Sequence, residues 1–122
     1  MIKRTLLSTF LLLAFASTTW AVDLTGDYTI HGTSPGRDAS YQGQVKVIQQ
    51  GDVYVVAWRI GEERYIGTGL LLDDSFAVVY EGQGAPAGLV LYKILPSGEL
   101  TGVYTNLGQT EVGTETWKPA SQ

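Results

Sequence analysis

Large aromatic side chains recur at nearly even spacing along most of this chain. The interval between successive members is 11 to 15 residues. The series consists of Tyr28, Tyr41, Tyr54, Tyr65, Tyr80, Tyr92, Tyr104 and Trp117. Spacing of this length is typical of short antiparallel strands joined by tight connections. Eight members predict eight strands, and such a sheet usually closes into a barrel because closure removes its exposed edges.

The first 21 residues have the features of a secretory signal peptide. Lys3 and Arg4 precede an apolar run over residues 6–16, and Thr19 and Ala21 place small residues where signal peptidase reads the chain. The run is too short to span a bilayer, so a cleaved signal is favoured over a membrane anchor. We expect a signal peptide over residues 1–21 and one β-barrel domain over residues 22–122, soluble in the periplasm or secreted.

The predicted mature chain is acidic and has no cysteine. Six of the eight basic residues remain after the signal, against twelve acidic ones, which gives a net charge of −6. This balance disfavours nucleic acid and anionic membranes as partners. The absence of cysteine excludes disulfides and a thiol nucleophile, and it fits a bacterial periplasm better than the exterior of a eukaryotic cell.

The segments between the turns are rich in Val, Ile, Tyr and Thr, which favour the half-buried surface of a strand. The predicted strands cover residues 27–33, 40–48, 52–60, 64–72, 75–80, 88–95, 99–106 and 113–118. The fold class is therefore all-β, a single eight-stranded antiparallel up-and-down β-barrel. Four glycines inside strands are predicted to permit sharp coiling or to lie beneath an aromatic ring. They are Gly43, Gly67, Gly88 and Gly102.

Two kinds of connection alternate along these strands. Hairpin turns, in which Gly and Asp tolerate positive backbone angles, are predicted at residues 49–51, 73–74 and 96–98. Longer connections are predicted at residues 31–39, 61–63, 81–87 and 107–112. Every second connection of a meander lies at the same end, so the longer ones should surround one mouth, where small barrels commonly hold ligands. Insertions tolerated at one end would give the same pattern without a ligand.

Charged residues mark the solvent face of several strands, so the side chains between them point into the barrel. Lys46, Arg59 and Lys93 are such markers. The same alternation places a ring of aromatics beneath the mouth, formed by Tyr41, Trp58, Tyr65, Tyr80 and Tyr104. These are the candidate ligand contacts. The ring is either packing that plugs the barrel or the wall of a shallow cup for a small planar or sugar-like ligand.

The direction of the last strand is ambiguous. If Trp117 points inward, Glu115 and Glu111 share its face, and a carboxylate inside the barrel would need protonation or a cationic partner. If Trp117 points outward, Thr114 and Thr116 line the interior without that cost. The threonine arrangement is slightly favoured. Glu115 is still the best single candidate for a perturbed acid, and it is the sixth candidate ligand contact.

Residues suited to catalysis or metal binding are scarce. His31 is the only histidine, and its parity, opposite to Tyr28 and Ile30, predicts the outer face or the first mouth loop. A His-rich metal site is therefore excluded. Residues 73–74 are interpreted as a turn rather than a calcium site, and Gly82-Gln83-Gly84 opens no helix that could hold a phosphate. No enzymatic activity, metal or cofactor is predicted.

Two short motifs resemble those of calycin barrels. The run GELTGVY at residues 98–104 is similar to the Gly-x-Leu-Thr-Gly-x-Tyr strand of avidin-like proteins, and LTGDY at residues 24–28 is similar to the Gly-x-aromatic opening of the wider group that includes lipocalins. The resemblance implies an eight-stranded meander barrel with a ligand cup. It does not imply biotin binding, because only Trp58 and Trp117 remain after signal cleavage.

Two functions remain open. The first is an exported, non-catalytic binding protein that holds a small molecule or glycan fragment at the mouth. The second is a protein-interaction module, such as an inhibitor of an exported enzyme, that presents acidic mouth residues to a basic partner. These residues are Glu62, Glu63, Glu81 and Glu111. An outer-membrane barrel is less favoured, because most predicted strands are shorter than the roughly 9 to 11 residues that a spanning strand needs.

The signal prediction can be tested directly. N-terminal sequencing of the exported protein should give Val22 as its first residue, and cell fractionation should recover it with soluble periplasmic material. Retention of Met1, or membrane association that resists a salt wash, would contradict the prediction.

Overall fold

The computed structural model describes residues 22–120 as a closed barrel. Its strands are β1 (Gly26–Thr33), β2 (Ser40–Gln50), β3 (Val53–Ile60), β4 (Glu63–Leu72), β5 (Ser75–Gly82), β6 (Gly88–Ile94), β7 (Leu100–Asn106) and β8 (Gly113–Pro119). Each strand pairs antiparallel with the next, and β8 pairs with β1. The predicted eight-stranded up-and-down barrel is confirmed, and no predicted strand end differs from the observed one by more than two residues.

The segment before β1 is tied to the barrel. Leu24 is buried, and its carbonyl oxygen accepts a hydrogen bond of 2.7 Å from the Tyr28 hydroxyl. The predicted signal peptide, residues 1–21, lies outside the described residues. Within residues 22–120, the structure has no helix that is long and apolar enough to cross a membrane.

The two ends of the barrel differ in their connections. One end, called the mouth below, has the connections 34–39, 61–62, 83–87 and 107–112. The other end, the floor, has the connections 51–52, 73–74 and 95–99. Three of the four loops predicted to be long are long, and all lie at the mouth. The fourth is a two-residue turn that Gly61 permits with its φ of 61°. At the floor, the hairpin turn predicted at residues 96–98 is a longer, five-residue connection, 95–99.

On β2, β3, β6 and β7 the core follows the predicted alternation of side chains, whereas on β8 it does not. Trp117 lies at its centre, with its ring centroid 4.6 Å from that of Tyr92 and 5.2 Å from that of Tyr28. The buried apolar side chains are Leu24, Tyr28, Ile30, Val45, Val47, Tyr54, Val56, Trp58, Phe76, Val78, Val90, Tyr92, Leu100 and Trp117. Every strand contributes to this cluster except β4, which places Gly67 and Gly69 at its buried inward positions.

The outer face divides into a polar part and an apolar part. β2 and β3 present Gln44, Lys46 and Arg59 to solvent, whereas the strands β4 to β7 present several exposed aliphatic side chains. These are Ile66, Leu70, Leu72, Val79, Leu89, Leu91 and Val103. Charge therefore marks the inward direction of β2 and β3, and Lys93 marks that of β6, but hydrophobic alternation alone does not mark that of β4 and β5, because both of their faces are apolar.

Trp58 gives a direct test of this core. Its side chain is 5% exposed, so Trp58→Ala should lower the free energy of unfolding by about 3 to 5 kcal/mol through lost burial and a residual cavity. Ile66, on the outer face of the adjacent strand, is 60% exposed, and Ile66→Ala should cost less than about 1 kcal/mol. Denaturant unfolding of both variants measures the difference, and equal losses would show that the inward assignment of Trp58 is wrong.

Candidate ligand-binding site

A cavity of about 380 Å³ opens at the mouth of the barrel. Its wall contains all six side chains selected from the sequence, which are Tyr41, Trp58, Tyr65, Tyr80, Tyr104 and Glu115. Toward the floor, the interior is filled by buried side chains such as Tyr54, Phe76 and Leu100. The barrel is thus packed toward the floor and open toward the mouth. Of the two alternatives considered above, packing describes the interior near the floor, and a shallow cup describes the mouth.

Each cavity tyrosine lies over a glycine that stands directly opposite it on the neighbouring strand. The pairs are Tyr41–Gly32, Tyr65–Gly82, Tyr80–Gly88 and Tyr104–Gly113. A β-carbon at any of these glycines would overlap the tyrosine ring, so the ring lies against the sheet and leaves the centre open. The prediction of a glycine beneath a ring is confirmed at Gly88 and also at Gly102, which lies under Tyr92.

The rings pack against one another around the cavity. The ring centroids of Trp58 and Tyr80 are 5.6 Å apart, those of Tyr65 and Tyr80 are 6.1 Å apart, and those of Tyr41 and Tyr104 are 6.4 Å apart. All three pairs have the tilted or edge-to-face geometry that aromatic quadrupoles prefer. We call this set of five residues, Tyr41, Trp58, Tyr65, Tyr80 and Tyr104, the aromatic cage.

Glu115 lies at the base of the cage and is the one buried charged side chain among residues 22–120. Its Oε1 accepts hydrogen bonds from the indole N–H groups of Trp58 (2.9 Å) and Trp117 (2.7 Å) and from the hydroxyl of Tyr92 (2.7 Å). Its Oε2 accepts one from the hydroxyl of Tyr41 (2.5 Å). Four neutral donors from β2, β3, β6 and β8 therefore converge on one carboxylate.

The preference for threonines inside the last strand is wrong. Glu115 and Trp117 point inward, while Thr114 is exposed on the outer face and Thr116 lies beside it at half burial. Desolvation did argue against a buried carboxylate, but four hydrogen bonds to its oxygens offset that cost without a cationic partner. Glu111, which shares the parity of Glu115, lies in the mouth loop and is exposed.

The tyrosine hydroxyls around the cavity all donate to other groups of the protein. Those of Tyr41 and Tyr92 donate to Glu115. The hydroxyl of Tyr65 donates to Glu63 Oε2 at 2.7 Å. The hydroxyl of Tyr80 donates to Asn106 Oδ1 at 2.6 Å, and that of Tyr104 to the backbone oxygen of Thr33 at 3.0 Å. The wall is therefore held by its own polar atoms in a fixed arrangement.

These phenols keep their protons well above neutral pH. Burial and the charge of Glu115 raise the pKa of Tyr41 and the pKa of Tyr92 above the ordinary value. Burial also raises the pKa of Tyr80 and of Tyr104, and burial together with the hydrogen bond to Glu63 raises the pKa of Tyr65 to about 12. Because the neutral form is favoured, the hydroxyls remain donors under physiological conditions.

Several cavity residues were not selected from the sequence. Tyr92 was assigned to the core, and it does lie there, but its hydroxyl reaches Glu115 from below the cage. Arg37 and Gln109 belong to mouth loops, where strand parity gives no direction. Asn106 ends β7 on the inward row of Leu100 and Tyr104, so the alternation of β7 could have identified it.

A second, wider depression crosses the outer face of β1 to β4 and exposes Lys46, Arg59 and Arg64. It has no converging set of buried polar atoms, which is the usual mark of a specific site. The single buried polar side chain of residues 22–120, Glu115, faces the mouth cavity instead. Across the same residues, no three His, Asp or Glu side chains cluster as a metal site, and His31 is exposed on the outer face of β1.

Comparison with known proteins adds no family to these observations. No protein-family model matches the chain, and no curated protein matches its sequence. The closed eight-stranded meander is compatible with the calycin-like resemblance of residues 24–28 and 98–104.

Substitution of Glu115 tests the network at the base of the cage. Glu115→Gln should lower the free energy of unfolding by about 1 to 2 kcal/mol, because charge-assisted hydrogen bonds become neutral ones. Glu115→Leu should cost about 3 kcal/mol or more, because it leaves several donors buried without an acceptor. Denaturant unfolding measures both losses, with Glu99→Gln in the floor connection 95–99 as the control. A leucine variant as stable as the wild type would show that the network does not support the fold.

Proposed function

We propose that this protein is an exported, non-catalytic binding protein of calycin-like type that holds a small molecule or glycan fragment in its mouth cavity. The observation that carries the proposal is the cavity itself, about 380 Å³ of open volume within an aromatic cage above a buried carboxylate. Ligand sites are typically concave, mostly apolar and supplied with a few fixed polar groups. The mouth cavity combines all three properties.

The size of the cavity limits the ligand. Its volume is near the lower end of the roughly 300 to 1,000 Å³ range of small-molecule sites, so it suits a compact molecule or one unit of a larger one. The wall is supported by ring-on-glycine packing and by internal hydrogen bonds, so it needs little reorganisation to receive a ligand. A pre-formed site binds more tightly for the same contacts, because less entropy is lost.

A binding role is favoured over catalysis by the chemistry of the wall. Glu115 is its one buried carboxyl group, and all of its observed hydrogen bonds come from neutral donors. General acid–base catalysis needs a group within reach of the reacting proton, and covalent catalysis needs a nucleophile activated by an adjacent base. The cavity wall has no cysteine or histidine, and Ser34 lies in the mouth loop without a histidine to activate it.

An acidic rim supports the alternative function, a module that binds a basic exported protein. Glu62, Glu63, Glu81 and Glu111 surround the mouth, and none forms an ion pair within residues 22–120, where Lys93 and Asp74 at the floor form the one observed pair. The two functions predict different co-purifying molecules. Native mass spectrometry of the protein purified from periplasm should show an added small mass in the first case and a stoichiometric protein in the second.

Tyr104→Phe tests the location of the site. The variant keeps the ring but removes its oxygen from the cavity wall, so affinity for the co-purified molecule should fall by up to about tenfold, the loss of one hydrogen bond. Stability should fall by no more than about 1 kcal/mol through loss of the bond to Thr33. Calorimetric titration measures the affinity, with Ser97→Ala at the floor as the matched control. If binding is lost in Ser97→Ala and kept in Tyr104→Phe, the site lies at the floor and not at the mouth.

A further inference from the structure

The aromatic cage offers hydrogen-bond acceptors but no unoccupied donor, and the donors of the cavity wall belong to the mouth-loop residues Ser34, Arg37 and Gln109. The hydroxyls of Tyr41, Tyr65, Tyr80 and Tyr104 all donate within the protein. The indole N–H of Trp58 is also occupied, by Glu115. What these residues can offer a ligand is therefore the lone pairs of their phenol oxygens and the faces of their rings. Such a wall is suited to a guest that donates hydrogen bonds.

One oxygen of the Glu115 carboxylate can still accept a further hydrogen bond. Its Oε1 accepts three hydrogen bonds, whereas Oε2 accepts one, from Tyr41. A carboxylate has about four acceptor positions, two on each oxygen, so Oε2 retains capacity for a further donor. Since Glu115 lines the cavity, a donor that approaches through the mouth can reach this oxygen. No cation of residues 22–120 forms an ion pair with it.

The aromatic cage adds a second attraction of the same sign. The face of an aromatic ring is the negative part of its quadrupole, and it attracts a cation within about 6 Å of the ring centre. Five such rings surround the cavity above one buried carboxylate. Because the Glu115 side chain is only 5% exposed, water screens its charge less than it would screen an exposed carboxylate, and its attraction for a cation in the cavity is correspondingly stronger.

Charges around the mouth favour a cationic guest overall, although both signs are present. The acidic side chains near the mouth are Asp38, Glu62, Glu63, Glu81 and Glu111. The basic ones are Arg37, Arg59 and Arg64. Arg37 is the one basic residue that lines the cavity, and it belongs to the loop at the rim rather than to the base. Acids therefore exceed bases at the entrance, which steers cations toward it.

We propose that the ligand is a small organic cation, with a compact ammonium head that lies in the aromatic cage against Oε2 of Glu115. This inference rests on the proposed function and narrows its ligand class. A neutral sugar would need donors as well as acceptors deep in the cage, whereas the donors of the wall lie in the mouth loops, and an anion would meet the carboxylate and the ring faces. Arg37 at the rim can contact a polar or anionic part of the same molecule that extends outward.

Cationic and uncharged probes of similar size test whether the charge of the ligand or its shape determines binding. Butylammonium and choline carry compact cationic heads, and n-butanol and 3,3-dimethylbutan-1-ol are their uncharged counterparts of similar size. Trp58 and Trp117 are the tryptophans of residues 22–122, and both touch the network at the base of the cage, so their fluorescence reports occupancy. At constant ionic strength, the cations should bind at least about tenfold more tightly than the alcohols, a difference of about 1.4 kcal/mol.

Substitution of Glu115 tests whether the preference for cations over alcohols arises at the base of the cage. Glu115→Gln keeps the size of the side chain and removes its charge, so the tenfold preference for the cation should fall to less than about threefold, whereas the affinity for the alcohols should hardly change. Glu99→Gln, in the floor connection 95–99 and outside the cavity wall, is the matched control and should keep the preference. If Glu115→Gln does not fold, the comparison of cations with alcohols in the wild-type protein still decides the proposal.

The outcomes distinguish this inference from the proposed function. Equal affinity for cations and alcohols, or tighter binding of butyrate than of butylammonium, would overturn the cationic ligand while it leaves a binding cavity in place. No saturable signal from either cation at concentrations on the order of millimolar, where guests of this size bind, would also overturn it. The proposed function itself fails only if native mass spectrometry finds no small molecule and the mouth variants do not affect any ligand.

Discussion

The hydrogen bonds to the buried carboxylate of Glu115 are the interaction on which the upper half of the barrel depends. They join β2, β3, β6 and β8 through Tyr41, Trp58, Tyr92 and Trp117, so one side chain connects the adjacent strands β2 and β3 with β6 and β8, which pair with neither of them. Trp117 is at the same time the centre of the packed core. The network therefore forms the boundary between the packed half of the barrel and the open cavity. It positions both the base of the cavity and the side chains at the upper edge of the core.

The cavity exists because of how the strands accommodate their aromatic residues. Four tyrosines at the mouth have glycines as direct cross-strand partners, and each ring occupies the space where a side chain of its partner would lie. Toward the floor, rings such as Phe76 and Tyr92 pack against one another with centroids 6.2 Å apart. Glycines also lie under these lower rings, Gly102 under Tyr92 and Gly69 under Phe76, so ring-on-glycine contacts occur at both depths. The interior below the mouth is filled because buried aliphatic side chains, such as Val56, Val78 and Leu100, occupy it as well.

The sequence predicted much of the fold because the relevant signals are local. The spacing of aromatics predicted the eight strands, and charges at Lys46, Arg59 and Lys93 indicated their inward faces. The direction of β8 could not be predicted in this way, because the cost of burying Glu115 depends on donors from three other strands that only the closed barrel brings together. The length of the turn at Gly61 and the loop residues of the cavity, Arg37 and Gln109, were missed because strand periodicity does not extend into connections.

The identity of the groups that stabilise Glu115 matters for what the cavity can do. An arginine or lysine at the base would satisfy a buried carboxylate equally well, but it would also cancel the negative charge that a guest could meet. Indole and phenol groups donate hydrogen bonds without a net charge, so they stabilise the carboxylate and leave its field intact. Of the cage phenols, only that of Tyr41 donates to Glu115, whereas those of Tyr65, Tyr80 and Tyr104 donate to other groups of the mouth. The acceptor-rich character of the cage therefore comes from several internal hydrogen bonds, while the negative charge at its base is preserved by the neutral donors around Glu115.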